Sequence, residues 1–341
     1  MGDAYTSYAT DEYTLFYNPA LMARHSGFSF TPMNLSLQGT NPIGATEETS
    51  GDVGTDPADV AESYMNFPIH INLGITPTIK MGKFGLSAFA TDNTNLLLTN
   101  QINPTFEIDY RNDRGFVMGY ASPVKGTISK DSANAVSLGV GVKYIERRGI
   151  YSAYPIASAA LLNALEGSTT SEIFDSLGST GGKGWGLDFG VDYLARGGGT
   201  EFGASFAAMD ILTNIVTTEE NTADPTLGVL QQRLDVNLGT HFKQDLGPLL
   251  HYAVTADIRS LNDATMPFMR RFHAGLEVGI PGIQVFGGMN SGYYSYGLRS
   301  DFLIIDLFVG FYNVELGSGY QDTQGKRFVF YMSLFDFTFD T

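Results

Sequence analysis

Apolar and polar residues alternate one by one through segment after segment of this chain. From 69 to 81, Ile69, Ile71, Leu73, Ile75, Pro77, Ile79 and Met81 share one face, opposite His70, Asn72, Gly74, Thr76, Thr78 and Lys80. Val136, Leu138, Val140, Val142 and Tyr144 oppose Ser137, Gly139, Gly141 and Lys143. Trp185, Leu187, Phe189, Val191 and Tyr193 oppose Gly186, Asp188, Gly190 and Asp192, and the theme returns over 234–242, 252–258 and 272–280. A period of two marks strands with unlike faces. Soluble sandwiches alternate as well, but these runs extend over about 10 to 13 residues, the length of a tilted strand crossing a membrane rather than the usual five or six. The polar face is rich in Gly and charge, and Gly facing a lumen permits curvature and leaves room. On the apolar face Tyr144, Trp185, Tyr193, Phe242 and Tyr252 sit near strand ends, where interfacial girdles belong. The pattern predicts an all-β fold, a transmembrane antiparallel β-barrel of about fourteen strands.

Strands are expected near 27–37, 68–80, 83–93, 114–124, 134–148, 183–195, 200–210, 232–244, 249–260, 269–280, 283–290, 294–300, 304–313 and 326–339. Thr105–Tyr110 is also β-like. The even strand number of single-chain bacterial barrels places it in a loop, as an extension or small hairpin. With both termini inside, the connections at Gly82, 125–133, Arg196–Gly199, Asp245–Pro248, Pro281–Gly282 and Asp301–Leu303 are short and periplasmic. The long ones, 38–67, 94–113, 149–182 and 211–231, face outward. Such asymmetry suits an outer-membrane barrel. Two outer connections carry helical signals: Asp56, Pro57 and Asp59 form a helix start, and Ile156–Leu165 and Ser171–Leu177 read as short helices. These segments either cover the mouth, offering a groove to an apolar ligand, or pack on each other.

Composition narrows the class further. The chain has 341 residues, 43% hydrophobic and 13% aromatic, with 40 Gly and no Cys. Mean hydropathy is close to zero, and no run approaches the roughly 18 apolar residues of a spanning helix. A barrel remains compatible, because only alternate residues meet lipid. With 20 basic and 36 acidic residues, the net charge of −16 argues against nucleic acid as a partner. The absence of Cys excludes a disulfide framework and thiolate chemistry. Met1–Ala4 shows neither a basic region nor an apolar core. Export as a multi-pass protein of the bacterial outer membrane therefore implies a cleaved signal peptide outside this numbering.

The first 25 residues fit no strand. Gly2–Asp3–Ala4–Tyr5–Thr6–Ser7–Tyr8–Ala9–Thr10–Asp11 leads into Tyr17–Asn18–Pro19–Ala20–Leu21. This opening resembles that of the FadL-type outer-membrane long-chain fatty acid transporter family, including the PorV-like barrels. Asp3 stands where the family's second Gly is usual, and Leu21 follows Ala20 without an intervening Gly. His273–Ala274–Gly275–Leu276–Glu277, Tyr296–Gly297–Leu298 and the aromatic last strand extend the resemblance to the C-terminal third. One departure is the end, where Phe337 and Phe339 are followed by Asp340 and Thr341 rather than by an aromatic terminus. The resemblance implies that residues 1–25 form a hatch inside a barrel of residues 26–341, with Asn18, Pro19, Ala20 and Leu21 at its centre. A ligand would pass by hatch rearrangement or through a gap in the wall. Asn18 and Pro19 alone suggest a turn or an ordinary helix boundary, which are compatible readings.

No enzyme signature is present: there is no His-Glu-x-x-His, no Gly-x-Ser-x-Gly elbow and no phosphate loop. A barrel hydrolase would need a Ser and a His brought together across strands. Lys80, Lys143, Arg233, Lys243, Arg259 and Arg299 are expected inside with Asp188, Asp192, Asp235, Asp257, Glu277 and Asp306. Such balanced charges either brace the barrel as ion pairs or leave a base to receive a ligand carboxylate, with Lys80, Lys143, Arg259 and Arg299 as the candidates. Asp52, Asp56 and Asp59 are better read as a solvated loop than as a calcium site. No cofactor or metal is expected. The functional expectation is passive uptake of hydrophobic, fatty-acid-like small molecules past the hatch, and the alternative is a PorV-like barrel that serves protein secretion or surface attachment through its loops. Expected partners are outer-membrane lipid and lipopolysaccharide, a fatty-acid-like ligand or, in the alternative, a protein.

Overall fold

The computed structural model describes residues 1–25, 27–41, 68–99, 103–129, 131–155, 176–221, 226–302, 304–317, 319–335 and 337–339. The helical signals at 56–59, 156–165 and most of 171–177, and the acids Asp52, Asp56 and Asp59, lie outside them.

Seventeen strand segments form one sheet. In chain order they are β1 (Phe28–Thr31), β2 (Met33–Thr40), β3 (Ile69–Ile75), β4 (Thr78–Met81), β5 (Phe84–Thr99), β6 (Thr105–Ile128), β7 (Ala133–Pro155), β8 (Thr180–Gly197) and β9 (Thr200–Glu219). They continue as β10 (Asp235–Asp245), β11 (His251–Ile258), β12 (Phe272–Ile280), β13 (Ile283–Asn290), β14 (Tyr293–Phe302), β15 (Ile305–Glu315), β16 (Gln324–Leu334) and β17 (Phe337–Phe339). Each neighbour pairs antiparallel, and the sheet closes on itself because β16 pairs with β2 and β17 with β1. Three wall strands are interrupted, giving β1–β2, β3–β4 and β16–β17, so the closed barrel has fourteen strands. Closure leaves no open edge, the condition for a sheet in hydrocarbon.

The alternation holds around the wall. Ile71, Leu73, Val140, Leu187, Leu238, Val254 and Leu276 are exposed on the outside, while Lys80, Lys143, Asp188, Asp192, His241, Asp257 and Glu277 are buried inside. Short connections lie at one end. Between β8 and β9 only Gly198 and Gly199 intervene, both at positive φ (62° and 77°). A two-residue hairpin whose central residues both have φ above zero matches strand twist, and Gly adopts it without a Cβ penalty.

The other end differs from expectation. Thr105–Tyr110 extends β6 within the wall, pairing Thr105 with Thr99 and Tyr110 with Thr94. The connections expected at 94–113, 149–182 and 211–231 are accordingly shorter, since β5, β7 and β9 run on to Thr99, Pro155 and Glu219. β6 and β7 have 24 and 23 residues, whereas β11 and β13 have 8 each. The wall is thus tall on the β5–β9 side and low on the β11–β15 side. Beyond the membrane both faces of a strand meet polar surroundings, so alternation fades while the ladder continues.

The interrupted strands adjoin one another at a seam. The β1–β4 ladder ends at the pair Thr31 and Thr78, and the β2–β3 ladder resumes only at Ser36 and Gly74. Pro32 and Pro77 fall between, and neither has an N–H to give. Asn34 supplies the missing link: its Nδ2 donates to the Thr76 carbonyl (2.9 Å) and its Oδ1 accepts from the Thr76 N–H. Asn34 is 1% exposed, so its amide is not replaceable by water at that position. Replacing Asn34 with Ala is expected to cost about 2 kcal/mol, since buried backbone groups lose their partner. Faster hydrogen exchange at the Thr76 amide and a lower midpoint for the heat-induced gel shift of the barrel are the readouts. Unchanged values for both would show that the seam is held otherwise.

Candidate functional site

Residues 1–25 lie inside the barrel and are tied to its wall on many sides. Thr14–Tyr17 makes one helical turn and Pro19–Arg24 a 3-10 helix. Asn18 joins them: its Oδ1 accepts from the Ala20 N–H (2.9 Å) and its Nδ2 donates to the Thr6 carbonyl (3.3 Å). Pro19 follows at the first helical position, where a missing N–H costs nothing. Asn18, Pro19, Ala20 and Leu21 are all buried. Inward glycines make the space. A Cβ at Gly139 would lie 2.2 Å from the Ala20 nitrogen, and one at Gly190 would lie 1.9 Å from Asn18 Oδ1. Leu15, Met22 and Ala23 pack on Val117 and Ala121 of β6.

Polar bonds fix the rest. Asp257 accepts from the N–H groups of Tyr5 (2.8 Å) and Thr6 (2.7 Å), and the His273 ring meets the Gly2 carbonyl at 2.9 Å. Arg24 forks onto Asp192 at 2.8 and 2.6 Å, both side chains buried. Charged pairs with this geometry are strong because two parallel N–H···O bonds join opposite charges. Tyr331 donates to Glu12, which also faces Asn34 at the seam.

The Ser–His encounter absent from the sequence is present in space. Ser7 Oγ lies 2.9 Å from His241 Nδ1, and His241 Nε2 lies 3.0 Å from Glu201. A proton on Nε2, donated to the carboxylate, leaves Nδ1 to accept from the hydroxyl. Ser7 is 1% exposed, His241 2%, and Arg24 and Arg196 also hold Glu201. In this state the trio docks the N-terminal segment and offers no route for a substrate carbonyl.

The four bases considered as carboxylate receptors are all engaged within the protein. Lys80 donates to the carbonyls of Thr10 (2.6 Å) and Asp11 (3.2 Å). Arg259 pairs with Asp3, and Arg299 forks onto Asp306. Lys143 bridges Asp188 (3.0 Å) and Asp210 (2.8 Å). That bridge secures a bulge in the β8–β9 ladder where Asp210 and Leu212 take positive φ, a conformation that costs a non-glycine residue about 1–3 kcal/mol.

Between the segment and the low side of the wall lies a cavity of about 740 Å³. Tyr5, Tyr13 and Tyr17 line it from the segment, and Phe286, Phe308, Tyr312 and Tyr331 from the wall. Asp11, Glu12, Glu277 and Arg299 also border it. A second cavity of about 280 Å³ adjoins it toward the outer end, sharing Asp3 and Asn290. Arg259, Arg270, Arg271 and His273 line this one, together with the carboxylates of Asp3 and Glu315. Arg270 donates to the Gly317 carbonyl (2.8 Å). Arg271 has no ion-pair partner among the described residues, and its Nε is buried without a hydrogen bond. Sequence reasoning missed Arg271 because it precedes β12, outside the alternating run; Glu12 was hidden in a segment without periodicity.

No protein-family model and no curated protein matches the chain. Solved structures do. The TodX monoaromatic hydrocarbon channel, as a deltaS2 mutant, aligns with a TM-score of 0.51 at 13% identity, covering 99% of this chain and 97% of that one. The toluene transporter TbuX of Ralstonia pickettii gives 0.45 at 10% identity, with 98% and 96% covered. CdiB from Acinetobacter baumannii gives 0.41 at 10% identity; 92% of this chain is covered, and it spans 60% of the length of CdiB. Together with the closed fourteen-strand wall and the N-terminal segment inside it, the alignment with the TodX channel identifies the fold of this chain as that of a FadL-like outer-membrane β-barrel.

Proposed function

We propose that the chain is an outer-membrane channel for passive uptake of hydrophobic small molecules that carry an acidic head, with residues 1–25 as its hatch. One observation carries this reading: an aromatic cavity of about 740 Å³ adjoins a smaller one in which the bases outnumber the acids and Arg271 forms no ion pair among the described residues. An apolar tail fits the first and a carboxylate the second, as ligand sites combine apolar lining with few convergent polar groups. Transport needs no energy source beyond the gradient. The fold shared with the TodX monoaromatic hydrocarbon channel agrees with hydrophobic cargo. The engaged state of Lys80, Lys143, Arg259 and Arg299 supports Arg271 as the receiving base.

Titration calorimetry in detergent with dodecanoate and dodecanol tests the head-group claim. Dodecanoate is expected to bind more tightly, and Arg271→Ala to weaken it about 10- to 100-fold, the worth of a charged hydrogen bond. Equal binding of acid and alcohol, unaffected by the substitution, would refute it.

The hatch reading is tested sterically. A Leu at Gly139 collides with the backbone of Ala20, so Gly139→Leu is expected to leave a folded barrel whose N-terminal segment is open to protease. A protected segment in a folded variant counts against an undockable hatch.

A pH response follows from Glu12 and Asp3. Burial, with Asp11 beside it, pushes Glu12 up to about 7. The docked state therefore holds a proton that the released state loses near its ordinary range, and docking weakens as pH rises through about 7. Burial pushes Asp3 up, but the Arg259 guanidinium, His273 and the Tyr17 hydroxyl together outweigh it and hold Asp3 below its usual value. Its contribution is lost only in strong acid. The hydrogen-exchange protection factor over residues 10–17, which removes the intrinsic base catalysis of exchange, is expected to fall as pH rises from 4.5 to about 7, and to stay constant in Glu12→Gln. The same slope in both proteins would exclude Glu12 as the cause.

A further inference from the structure

The outside of the tall wall carries a second arrangement, independent of the lumen. Phe116 of β6, Tyr144 of β7 and Trp185 of β8 stand in register on adjacent strands. Their ring centroids are 5.7, 5.0 and 5.7 Å apart. Trp185 is 56% exposed. Eight residues along β8, toward the short turns, Tyr193 packs against Phe202. That separation, about 26 Å along the strand and about 20 Å of depth after a tilt of about 40°, approaches the apolar band between two aromatic girdles. Trp185 therefore marks the outer membrane-water interface.

One step farther out on the same face, register aligns Arg114, Glu146 and Lys183 across β6, β7 and β8, with Arg148 in the next row. Arg114 is exposed and has no ion-pair partner among the described residues. Lys183 meets Glu146 at 3.4 Å, and Arg148 meets Glu219 at 3.6 Å and donates to Ser179 Oγ at 3.3 Å, with the four charged side chains 43–63% exposed. Exposed pairs this long hold their partners weakly and yield to a better anion. In a chain of net charge −16 with 20 bases, three of them on neighbouring strands at headgroup height form a basic patch facing lipid. Guanidinium groups bind phosphate by forked hydrogen bonds, and ammonium groups bind it as point charges.

We propose that Arg114, Arg148 and Lys183 form a docking site for the phosphorylated headgroup of an outer-leaflet glycolipid, with an acyl chain against Phe116, Tyr144 and Trp185. The patch holds the tall side of the wall in the outer leaflet. The site rests on the outer-membrane reading and is indifferent to what the lumen carries.

Trp185 is the only tryptophan in the chain, so its fluorescence reports on this site. The full-length protein, stripped of lipid in detergent, is titrated with bisphosphorylated lipid A, with the same lipid after phosphatase treatment, with phosphatidylglycerol and with inorganic phosphate. Bisphosphorylated lipid A is expected to change Trp185 emission and to bind at least 10-fold more tightly than the dephosphorylated form. Binding should weaken with salt and fall at least 10-fold in the Arg114→Ala, Arg148→Ala, Lys183→Ala triple variant. An Arg114→Lys single variant should retain most of it. Heat-modified gel mobility verifies that each variant is folded; if the triple variant is not, the paired Arg114→Ala and Lys183→Ala variant takes its place with the same expectation. Equal affinity for the dephosphorylated lipid, equal affinity for phosphatidylglycerol, or undiminished binding by the folded multiple variant overturns the proposal. An equal response to inorganic phosphate alone, which would mark a general anion patch, overturns it too.

Discussion

Hydrocarbon offers a backbone no hydrogen bonds, so every N–H and C=O of a crossing strand must pair with its neighbour. Closure of β16 on β2 and of β17 on β1 satisfies that demand, and it has a second consequence. A closed wall of fourteen strands encloses more space than its own side chains fill. The lumen must therefore hold water, a ligand or protein. Here much of it holds the first 25 residues, and most features of the interior follow from lodging them there. One exception to full pairing is the seam, where Pro32 and Pro77 remove donors from facing strands and one amide, Asn34, bridges the gap.

The packing of that segment accounts for the choice of inward residues. Glycines at 139 and 190 let the backbone of Asn18–Ala20 approach the wall. Carboxylates at Asp192 and Asp257 meet a guanidinium and two backbone N–H groups. Removing one member of a buried pair costs about 3–5 kcal/mol, because the other is left without compensation. The segment is thus held by many separate bonds around the circumference, except beside the low wall. There the aromatic cavity remains, bordered by tyrosines of the segment itself. A shift of the segment necessarily reshapes the cavity, which couples docking to ligand space without any additional device.

The two faces of the wall divide the chemistry. Inside, many bases and acids are matched to each other and to the segment, while Arg271 forms no ion pair among the described residues. Outside, the aromatic row and the bases beyond it are matched to the depth of the membrane. The tall side of the wall carries both the outer basic patch and the bulge that Lys143 secures, while the low side carries the cavities.

The sequence by itself determined the barrel, because alternation is local: a side chain at position i points opposite to its neighbour whatever lies across the sheet. Strand number and the short turns were legible for the same reason, and Asn18–Pro19 marked a helix start whatever it packs against. Strand ends above the membrane were not legible, since the ladder of β5–β9 continues where lipid no longer enforces a pattern. Nor was the partner of any inward charge. Lys80 meets Thr10 and Asp11, and Arg259 meets Asp3, across separations of about 70 to 250 residues, which depend on strand register and on how residues 1–25 fold within the lumen. Alternation identified which bases face inward; only the tertiary structure decided that four are occupied and that Arg271, outside the pattern, lacks an acid, because occupancy is a property of three-dimensional neighbours.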